Sequence, residues 1–253
     1  MANNVNARIR AAGWHLLVSV SVAALSAALV FGVWYPYPYR ELSGGRQLFF
    51  LLILVDVVMG PAITLIICSS DKSRRELIAD LTVVGILQLG ALLYGLNTVA
   101  QARPVYVVFE YSRFRVVHAA DITSDHLVRA PNDLRVLPWT GPQWIALRSF
   151  TGPSEQFDSA TLDLGGTPQA AQPWLWTNYE SQTSAILSES QSADRLSIRF
   201  PGEADAIKRV AAAAGYLLED LRYLPLLDRK GAWTVLLDSK SARPIGVVQI
   251  DSF

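Results

Sequence analysis

The stretch LFFLLILVDVVMGPAITLIIC, residues 48–68, decides the fold of this chain. It runs for 21 residues with one charged side chain, that of Asp56, and about 20 apolar residues suffice to cross the hydrocarbon core of a bilayer. Two further stretches, Gly13–Trp34 and Leu77–Thr98, pass the same test of length and composition. The sequence therefore predicts a transmembrane domain of three helices, residues 1–103.

Residues 104–253 have the composition of an ordinary soluble domain with an excess of acidic side chains. The first 103 residues hold 8 Lys or Arg and 5 Asp or Glu, a net charge of +3, and the remainder holds 14 and 17, a net charge of −3. An acidic domain without a basic stripe is not expected to bind nucleic acid. Cys68 is the single cysteine, which excludes an intrachain disulfide and the paired-cysteine metal motifs.

The first apolar stretch is predicted to remain in the membrane as an uncleaved helix. Its 22 residues include His15 but no Asp, Glu, Lys or Arg, and it exceeds the apolar core of a signal peptide, which reaches about 15 residues. Trp34 and Tyr35 stand at its exit, where aromatic rings that carry one polar group favour the membrane interface. Pro36 then makes continuation of the helix unfavourable.

The basic side chains indicate in which direction the helices cross. Five lie on the side of the amino terminus and three on the opposite side, and the side richer in Lys and Arg is normally cytoplasmic. The five are Arg8, Arg10, Lys72, Arg74 and Arg75, and the three are Arg40, Arg46 and Arg103. Three crossings then leave the carboxy-terminal domain on the far, exported side of the membrane.

Four polar side chains within the predicted spans are the candidate functional residues: Asp56, Thr64, Asp80 and Gln88. A carboxyl inside hydrocarbon costs on the order of 3 kcal/mol, so Asp56 is expected to face protein and not lipid. The loop between the second and third spans is centred near residue 72, so residues of these two helices share a depth when their numbers sum to about 144. Asp56 is then level with Gln88, and Thr64 is level with Asp80.

The polar residues allow three interpretations. In the first, they join the second and third spans by interhelical hydrogen bonds. Such bonds in membranes contribute about 0.6 kcal/mol each, so they fix the register of the two helices more than they add stability. Alternatively, Asp56 meets a polar group on a partner's transmembrane helix, or it belongs to a proton or ion pathway. Asp80, near the predicted inner surface, can instead pair with Lys72, Arg74 or Arg75.

Small side chains recur every four residues on the first and third spans, and such faces let helix backbones approach closely. They are Ser19, Ala23 and Ala27, then Ala24, Ala28 and Gly32, and finally Ala91 and Gly95. These faces suit either packing within the protein or the docking of a partner helix.

After Pro104 the pattern changes to that of an α+β domain. Runs of β-branched and aromatic residues predict two hairpins, and apolar positions at helical spacing predict three helices. The predicted strands are Val105–Tyr111, Phe114–His118, Ala232–Asp238 and Pro244–Ile250, and the predicted helices are Asp121–Arg129, Tyr179–Gln191 and Glu203–Tyr216. Residues 138–176, rich in Pro, Gly, Ser and Thr, predict ordered loops with brief strands.

The sequence contains no motif of catalysis, cofactor binding or metal binding. Its three histidines are scattered, and it has no Gly-rich phosphate loop, Gly-x-Ser-x-Gly elbow or His-Glu-x-x-His. We therefore expect neither an enzyme nor a cofactor, and we expect His118 and His126 at the surface or partly buried. Four tryptophans of the second domain are expected in its core, a binding surface being the alternative. They are Trp139, Trp144, Trp174 and Trp176.

Several segments, taken in order, resemble one family. They are Val33–Pro36, Val55–Pro61, Gln88–Ala91 leading to Tyr94–Gly95, Ala102–Phe109 with Arg113–Phe114, and Trp233–Asp238. Over nearly the whole chain this set resembles the TfpX/TfpZ family of type IV pilin accessory proteins.

The resemblance implies a multi-pass protein of the bacterial inner membrane, with a cytoplasmic amino terminus and a periplasmic carboxy-terminal domain. It implies a chaperone-like factor that helps a cognate type IV pilin become stable or enter the pilus. Its partners would be the pilin, the lipid bilayer and other inner-membrane components of pilus assembly. Two other functions are compatible with the sequence: a membrane sensor with a periplasmic ligand-binding domain, and a membrane enzyme that modifies pilin.

Overall fold

The structure, a computed structural model, describes residues 2–67 and 73–253 of the chain. It divides into two units: a helical unit that ends at Ala102, and an α+β unit, Arg103–Phe253. The helical unit contains three long apolar helices and the α+β unit contains an eight-stranded sheet, which confirms the predicted fold class.

Three helical stretches of the helical unit are long and apolar enough to cross a membrane: Arg8–Trp34, Gly45–Ile67 and Arg75–Gln101. They indicate a multi-pass membrane protein. The elements are α1 (Ala2–Leu29), continued by a π-helical turn (Val30–Trp34), α2 (Tyr39–Leu42), α3 (Gly45–Leu54), a second π-helical turn (Val55–Met59), α4 (Gly60–Ile67) and α5 (Arg74–Gln101). The predicted end of the second span, Cys68, lies outside the described residues.

The start of α5 follows from its local sequence. The Ser73 hydroxyl accepts a hydrogen bond from the N–H of Glu76 at 3.3 Å, and the Glu76 carboxylate accepts one from the N–H of Ser73 at 2.8 Å. This capping box satisfies two of the backbone donors at the helix start. The third span therefore has a defined beginning.

An apolar cluster holds the three spans together where the first and third of them end. Its buried members are Val30, Trp34, Tyr35, Phe49, Val99 and Ala100. The Tyr35 ring is fully buried, and its hydroxyl donates a hydrogen bond to the backbone carbonyl of Val99 at 3.0 Å. Gly45 leaves the space for that ring, because a Cβ atom there would lie 2.4 Å from Tyr35 Cδ1.

The α+β unit is a mixed sheet with short helices between its strands. The strands are β1 (Pro104–Glu110), β2 (Arg113–His118), β3 (Gln143–Leu147), β4 (Trp176–Asn178), β5 (Gln191–Ser192), β6 (Leu221–Asp228), β7 (Gly231–Asp238) and β8 (Pro244–Val248). The helices are α6 (Ser124–Leu127), α7 (Pro153–Leu164), α8 (Thr183–Glu189), α9 (Ala193–Arg199) and α10 (Ala204–Ala213). The order along the sheet is β4–β3–β1–β2–β6–β7–β8, and β5 pairs with β6 off this path.

The two halves of the sheet join at a short parallel pairing between β2 and β6. Phe114 pairs with Leu226 and Arg115 with Leu227 in this register. The neighbouring strand pairs are antiparallel, except for the parallel pair β1–β3. Pro225 of β6 lies between the residues that pair with β2 and those that pair with β5, a position where a strand tolerates the missing N–H of proline.

Two apolar clusters form the core of the α+β unit. The first surrounds Tyr106 and Trp176, whose ring centroids are 4.8 Å apart. The second packs α9 and α10 against β6, β7 and β8 around the fully buried Ile207. Gly246 of β8 lets α10 approach closely, because a Cβ atom there would lie 2.4 Å from Val210 Cγ1.

Most predicted elements of the α+β unit are confirmed: the bounds of β1, β2 and β7 differ from the prediction by one residue, whereas β8 and the helices are shorter than predicted. The first hairpin turns at Tyr111–Ser112, one residue earlier than predicted, with Tyr111 at a φ of 56°. The helix predicted over Asp121–Arg129 is reduced to α6, and the one predicted over Tyr179–Gln191 is a 3-10 turn followed by α8. The predicted helix from Glu203 is α10, and the second hairpin is β7–β8.

The sequence patterns do not predict α7, α9 or β6. Helix α7 lies in the segment that predicts loops, and it begins with Pro153, which loses no intrahelical bond as a first residue. Strand β6 contains Pro225, which ordinarily counts against a strand with neighbours on both sides. In α7 and β6, proline therefore lies at a position that the element tolerates, although proline usually interrupts a helix or a strand.

Candidate functional site

Asp56 is the polar centre of the helical unit and lies in the π-helical turn of the second span. Only 8% of its surface is exposed, and its Oδ1 atom is buried without a hydrogen-bond partner in the part of the chain that the structure describes. Pro61 follows and has no N–H to donate to the carbonyl of Val57, and local π-helical adjustment is a usual accommodation of proline in a membrane span. The turn thus presents an acceptor that residues 2–67 and 73–253 leave without a hydrogen bond.

Gln88 of α5 reaches the same turn from the third span. Its Nε2 atom donates a long hydrogen bond of 3.4 Å to the backbone carbonyl of Asp56. This contact joins the second and third spans at the depth of Asp56. It satisfies the backbone of Asp56 and not its carboxyl.

Thr64, which is expected to be level with Asp80, contacts the first span. The fully buried Thr64 Oγ1 lies 2.5 Å from His15 Nδ1, because α4 packs along α1. Asp80 is half-buried in α5, eight residues before Gln88 and therefore about 12 Å from it along the helix axis. No motif around His15 indicates its contact with Thr64, because that contact depends on which helices pack together.

Gly60 makes room for the polar side chains that converge on the second span. A Cβ atom on Gly60 would lie 2.1 Å from Gln88 Nε2 and 3.0 Å from His15 Nε2. Side chains from the first and third spans therefore approach α4 at the same backbone position. The glycine is required by this close approach and not by its own backbone conformation, which is helical.

Two grooves flank α5, and Asp56 lines both of them. The α3–α5 groove, of about 250 Å³, is lined by Leu48, Leu51, Leu52, Asp56, Ala91, Tyr94, Gly95, Thr98 and Val99. The α1–α5 groove, of about 230 Å³, is lined by His15, Val18, Ser19, Val22, Asp56, Gly85, Gln88, Leu89 and Leu92. The second groove thus contains three of the polar residues that meet at the centre of the helical unit: His15, Asp56 and Gln88.

The polar centre offers hydrogen bonds and not a set of metal ligands. Within residues 2–67 and 73–253, no group of three or more His, Cys, Asp or Glu is placed to hold a metal ion. His15 and Thr64 satisfy one another, and Gln88 reaches a backbone carbonyl. What remains available is the Asp56 carboxyl, which can accept a hydrogen bond from a donor brought in by another molecule.

A second polar cluster lies in the α+β unit, and the sequence does not reveal it. His118, expected at the surface or partly buried, is fully buried. Its Nδ1 atom lies 3.3 Å from Asp121 Oδ2, and its Nε2 atom lies 3.5 Å from Asp228 Oδ1. Arg229 extends the cluster, with its guanidinium 2.5 Å from Asp121 Oδ1. The imidazole has no exposed surface, and the cluster connects the end of β2 with the end of β6.

This cluster lowers the pKa of the Asp121 carboxyl. Burial acts to raise its pKa, but hydrogen bonds from the side chain and backbone of His118 and from Arg229 outweigh burial and lower the pKa to about 2. Asp121 is therefore ionised at neutral pH. The ionised carboxyl is stabilised from within the α+β unit, because His118 and Arg229 both lie in that unit.

The four tryptophans of the α+β unit divide between core and surface. Trp176 is fully buried and Trp144 is half-buried in ring contacts, which confirms the expected core packing for these two. Trp139 is 61% exposed, and the Arg103 guanidinium lies 4.5 Å from its ring centroid, so the expectation is wrong for Trp139. Trp174 is half-buried.

Comparison with known proteins finds relatives over nearly the whole chain. Residues 3–44, which contain nearly all of α1, the first π-helical turn and α2, match the family model described as fimbrial assembly protein FimB. The chain is 35% identical over 243 residues to the fimbrial assembly protein of serogroup I of Dichelobacter nodosus, which covers 95% of this chain and 94% of that protein. It is 33% identical over 246 residues to the serogroup E1 protein, with 95% and 94% covered. No solved structure matches the chain.

Proposed function

The chain belongs to the FimB family of fimbrial assembly proteins, and from this premise we propose that it is an accessory factor that keeps a cognate type IV pilin stable or brings it into the growing pilus. One observation carries the proposal. The similarity to fimbrial assembly proteins extends over 95% of the chain, so it includes both the helical unit and the α+β unit. The resemblance to TfpX/TfpZ accessory proteins supports the same role.

The proposed setting is the bacterial inner membrane, with the amino terminus in the cytoplasm and the α+β unit in the periplasm. The distribution of basic side chains, five against three, supports this orientation. A pilin before assembly has an apolar helix in the membrane and a globular head on the exported side. In this setting the helical unit would contact the membrane helix of the pilin, and the α+β unit would contact its globular head. Other inner-membrane components of pilus assembly would be further partners.

The proposed action is chaperone-like binding without catalysis or a cofactor. Polar groups inside a membrane pair readily with polar groups of another helix, and Asp56 offers such a group. The buried cluster around His118 is engaged within its own unit. The geometry therefore supports recognition of a partner helix better than it supports chemistry on that partner.

Deletion of the gene in its native host tests the proposal. We expect surface pili to be lost, while the amount of pilin transcript and the intact mass of the pilin stay unchanged, and we expect the wild-type gene to restore piliation. A shifted pilin mass would favour a modifying enzyme, and a changed transcript level would favour a membrane sensor. Normal piliation in the deletion strain would overturn the role in assembly.

A further inference from the structure

The α1–α5 groove has the form of a seat for another helix. One wall is His15, Val18, Ser19 and Val22 of α1, and the other is Gly85, Gln88, Leu89 and Leu92 of α5. Each wall follows the spacing i, i+3, i+4 and i+7, so each is one face of two helical turns, about 10 Å long. Side-chain ridges of a helix pack into a groove between such faces.

Gly85 is an open position on the wall of this groove. A Cβ atom placed there meets no atom within 4 Å among the described residues, so none of them occupies the space that the missing side chain leaves. A glycine inside a helix is less stable than an alanine, and in membranes small residues are found where another helix comes close. The α3–α5 groove differs, because Leu52 Cδ1 would lie 2.2 Å from a Cβ atom on Gly95 and already fills that place.

Asp56 lies between the two walls and adds a chemical requirement. More than nine-tenths of its surface is buried, and its Oδ1 atom lacks a hydrogen-bond donor in residues 2–67 and 73–253. A lipid tail that filled the groove would leave this acceptor unsatisfied at a cost. A helix that carries a hydroxyl, an amide or a cationic group at this depth would satisfy it.

We propose that the α1–α5 groove seats the apolar membrane helix of the pilin and that this helix places a hydrogen-bond donor level with Asp56. The inference rests on the proposed function, which supplies the identity of the partner. The helical walls, the open Gly85 and the unsatisfied Asp56 supply the place and the chemistry. A second copy of the chain and a lipid are the other occupants that an experiment must distinguish.

Photocrosslinking in cells that express the full chain and the pilin locates the occupant. A photoreactive residue at Leu89, on the wall of the groove, is expected to form an adduct with the pilin. The matched control is Leu87, which is 68% exposed in the same helix and lines neither groove. Equal adducts at both positions, or no pilin adduct at Leu89, would overturn the proposal. An adduct between two copies of the chain would overturn the choice of pilin as occupant.

Substitutions that fill or alter the groove test its role. Gly85→Leu is expected to reduce the Leu89 adduct about tenfold or more and to abolish piliation, because a side chain then occupies the place of the partner backbone. Gly90→Leu is the matched control in α5, since a Cβ atom there also meets nothing within 4 Å, and it is expected to behave as wild type. Asp56→Leu is expected to reduce the adduct about threefold, because it removes one interhelical hydrogen bond and such a bond changes helix association by about that factor.

The outcomes separate this inference from the proposed function. If deletion abolishes piliation but Gly85→Leu supports it as well as wild type does, the groove is not the seat and the accessory role stands. If deletion leaves piliation intact, both fail. Immunoblots of the membrane fraction report whether each variant accumulates, and the Leu89 and Leu87 adducts of the otherwise unaltered chain decide the matter if Gly85→Leu does not accumulate.

Discussion

His118 and Asp56 are both buried polar residues, and their surroundings assign them different roles. The Nδ1 atom of His118 contacts the Asp121 carboxyl, while its Nε2 atom lies 3.5 Å from an Asp228 carboxyl oxygen and makes no hydrogen bond within the described residues. The Oδ1 atom of Asp56 also makes no hydrogen bond there, but Asp56 lines two grooves, whereas the His118 ring is fully buried. A buried acceptor gains free energy when a donor reaches it, and a groove gives a donor access. We therefore expect His118 to act in the stability of the α+β unit, and we propose Asp56 as the residue that a partner meets.

The low pKa of Asp121 predicts how stability depends on pH. Because the pKa is about 2 in the folded unit and 3.8 ordinarily, ionised Asp121 stabilises the fold at neutral pH, and this contribution is lost as the pH falls from about 4 through about 2. Asp121→Asn is expected to lower the free energy of unfolding at neutral pH and to flatten its decline over that window. Denaturant unfolding of the full chain in mild detergent, followed by tryptophan fluorescence at a series of pH values, measures both effects.

The matched control for Asp121 is Asp158→Asn, an exposed position on α7 that lies outside the cluster. This variant is expected to keep the wild-type dependence on pH. If Asp121→Asn also kept the wild-type slope between pH 4 and pH 2, the cluster around His118 would not contribute to acid stability.

Gly45 is predicted to be intolerant of any side chain. Gly45→Ala places a Cβ atom 2.4 Å from a ring that is fully buried and hydrogen-bonded, so the ring cannot move aside freely. We expect a loss of about 1–3 kcal/mol, the usual cost of overpacking, seen as a lower temperature of unfolding in detergent. Gly13→Ala is the control, since a Cβ atom there meets nothing within 4 Å, and an equal loss in that variant would contradict the assignment.

At the scale of elements, the long apolar helices are the features that the sequence predicts best. An apolar run of about 20 residues has few stable alternatives to a helix in lipid, because every backbone group must be bonded internally. Two of the missed elements, α7 and β6, contain Pro153 and Pro225 at positions where proline is tolerated only because of their neighbours. Such positions cannot be recognised without knowing which strand pairs with which.

The packing of α10 on β8 gives a prediction at this scale. Gly246→Ala places a Cβ atom only 2.4 Å from Val210 Cγ1. This overpacking is expected to lower the free energy of unfolding by about 1–3 kcal/mol. Val210→Ala removes the opposing methyl groups, so the double variant is expected to recover part of the loss. Chemical unfolding of the four proteins in a double-mutant cycle measures the coupling, expected at about 0.5–3 kcal/mol. Strict additivity would mean that α10 and β8 do not meet at this pair.

At the scale of the whole molecule, the candidate site depends on all three spans. Numbering about the hairpin is enough to bring Gln88 near Asp56, because the two helices are adjacent in the chain. The contact of Thr64 with His15 and the α1–α5 groove depend on how the first span packs, which no local pattern encodes. The residues of the site can thus be recognised in the sequence as polar side chains within apolar spans. Which residues they contact can be read only from the packed helices.

The direction of the chain across the membrane is also a property of the whole molecule, since it follows from the sum of basic side chains on each side. With five on the amino-terminal side and three on the other, alkaline phosphatase fused after Phe253 is expected to be active, and green fluorescent protein at the same place is expected to be dark. The same reporters inserted between the second and third spans should give the reverse result, which controls for expression. A fluorescent fusion after Phe253 would put the α+β unit in the cytoplasm, where the head of a membrane-bound pilin is absent, and the α+β unit could then no longer contact the pilin head.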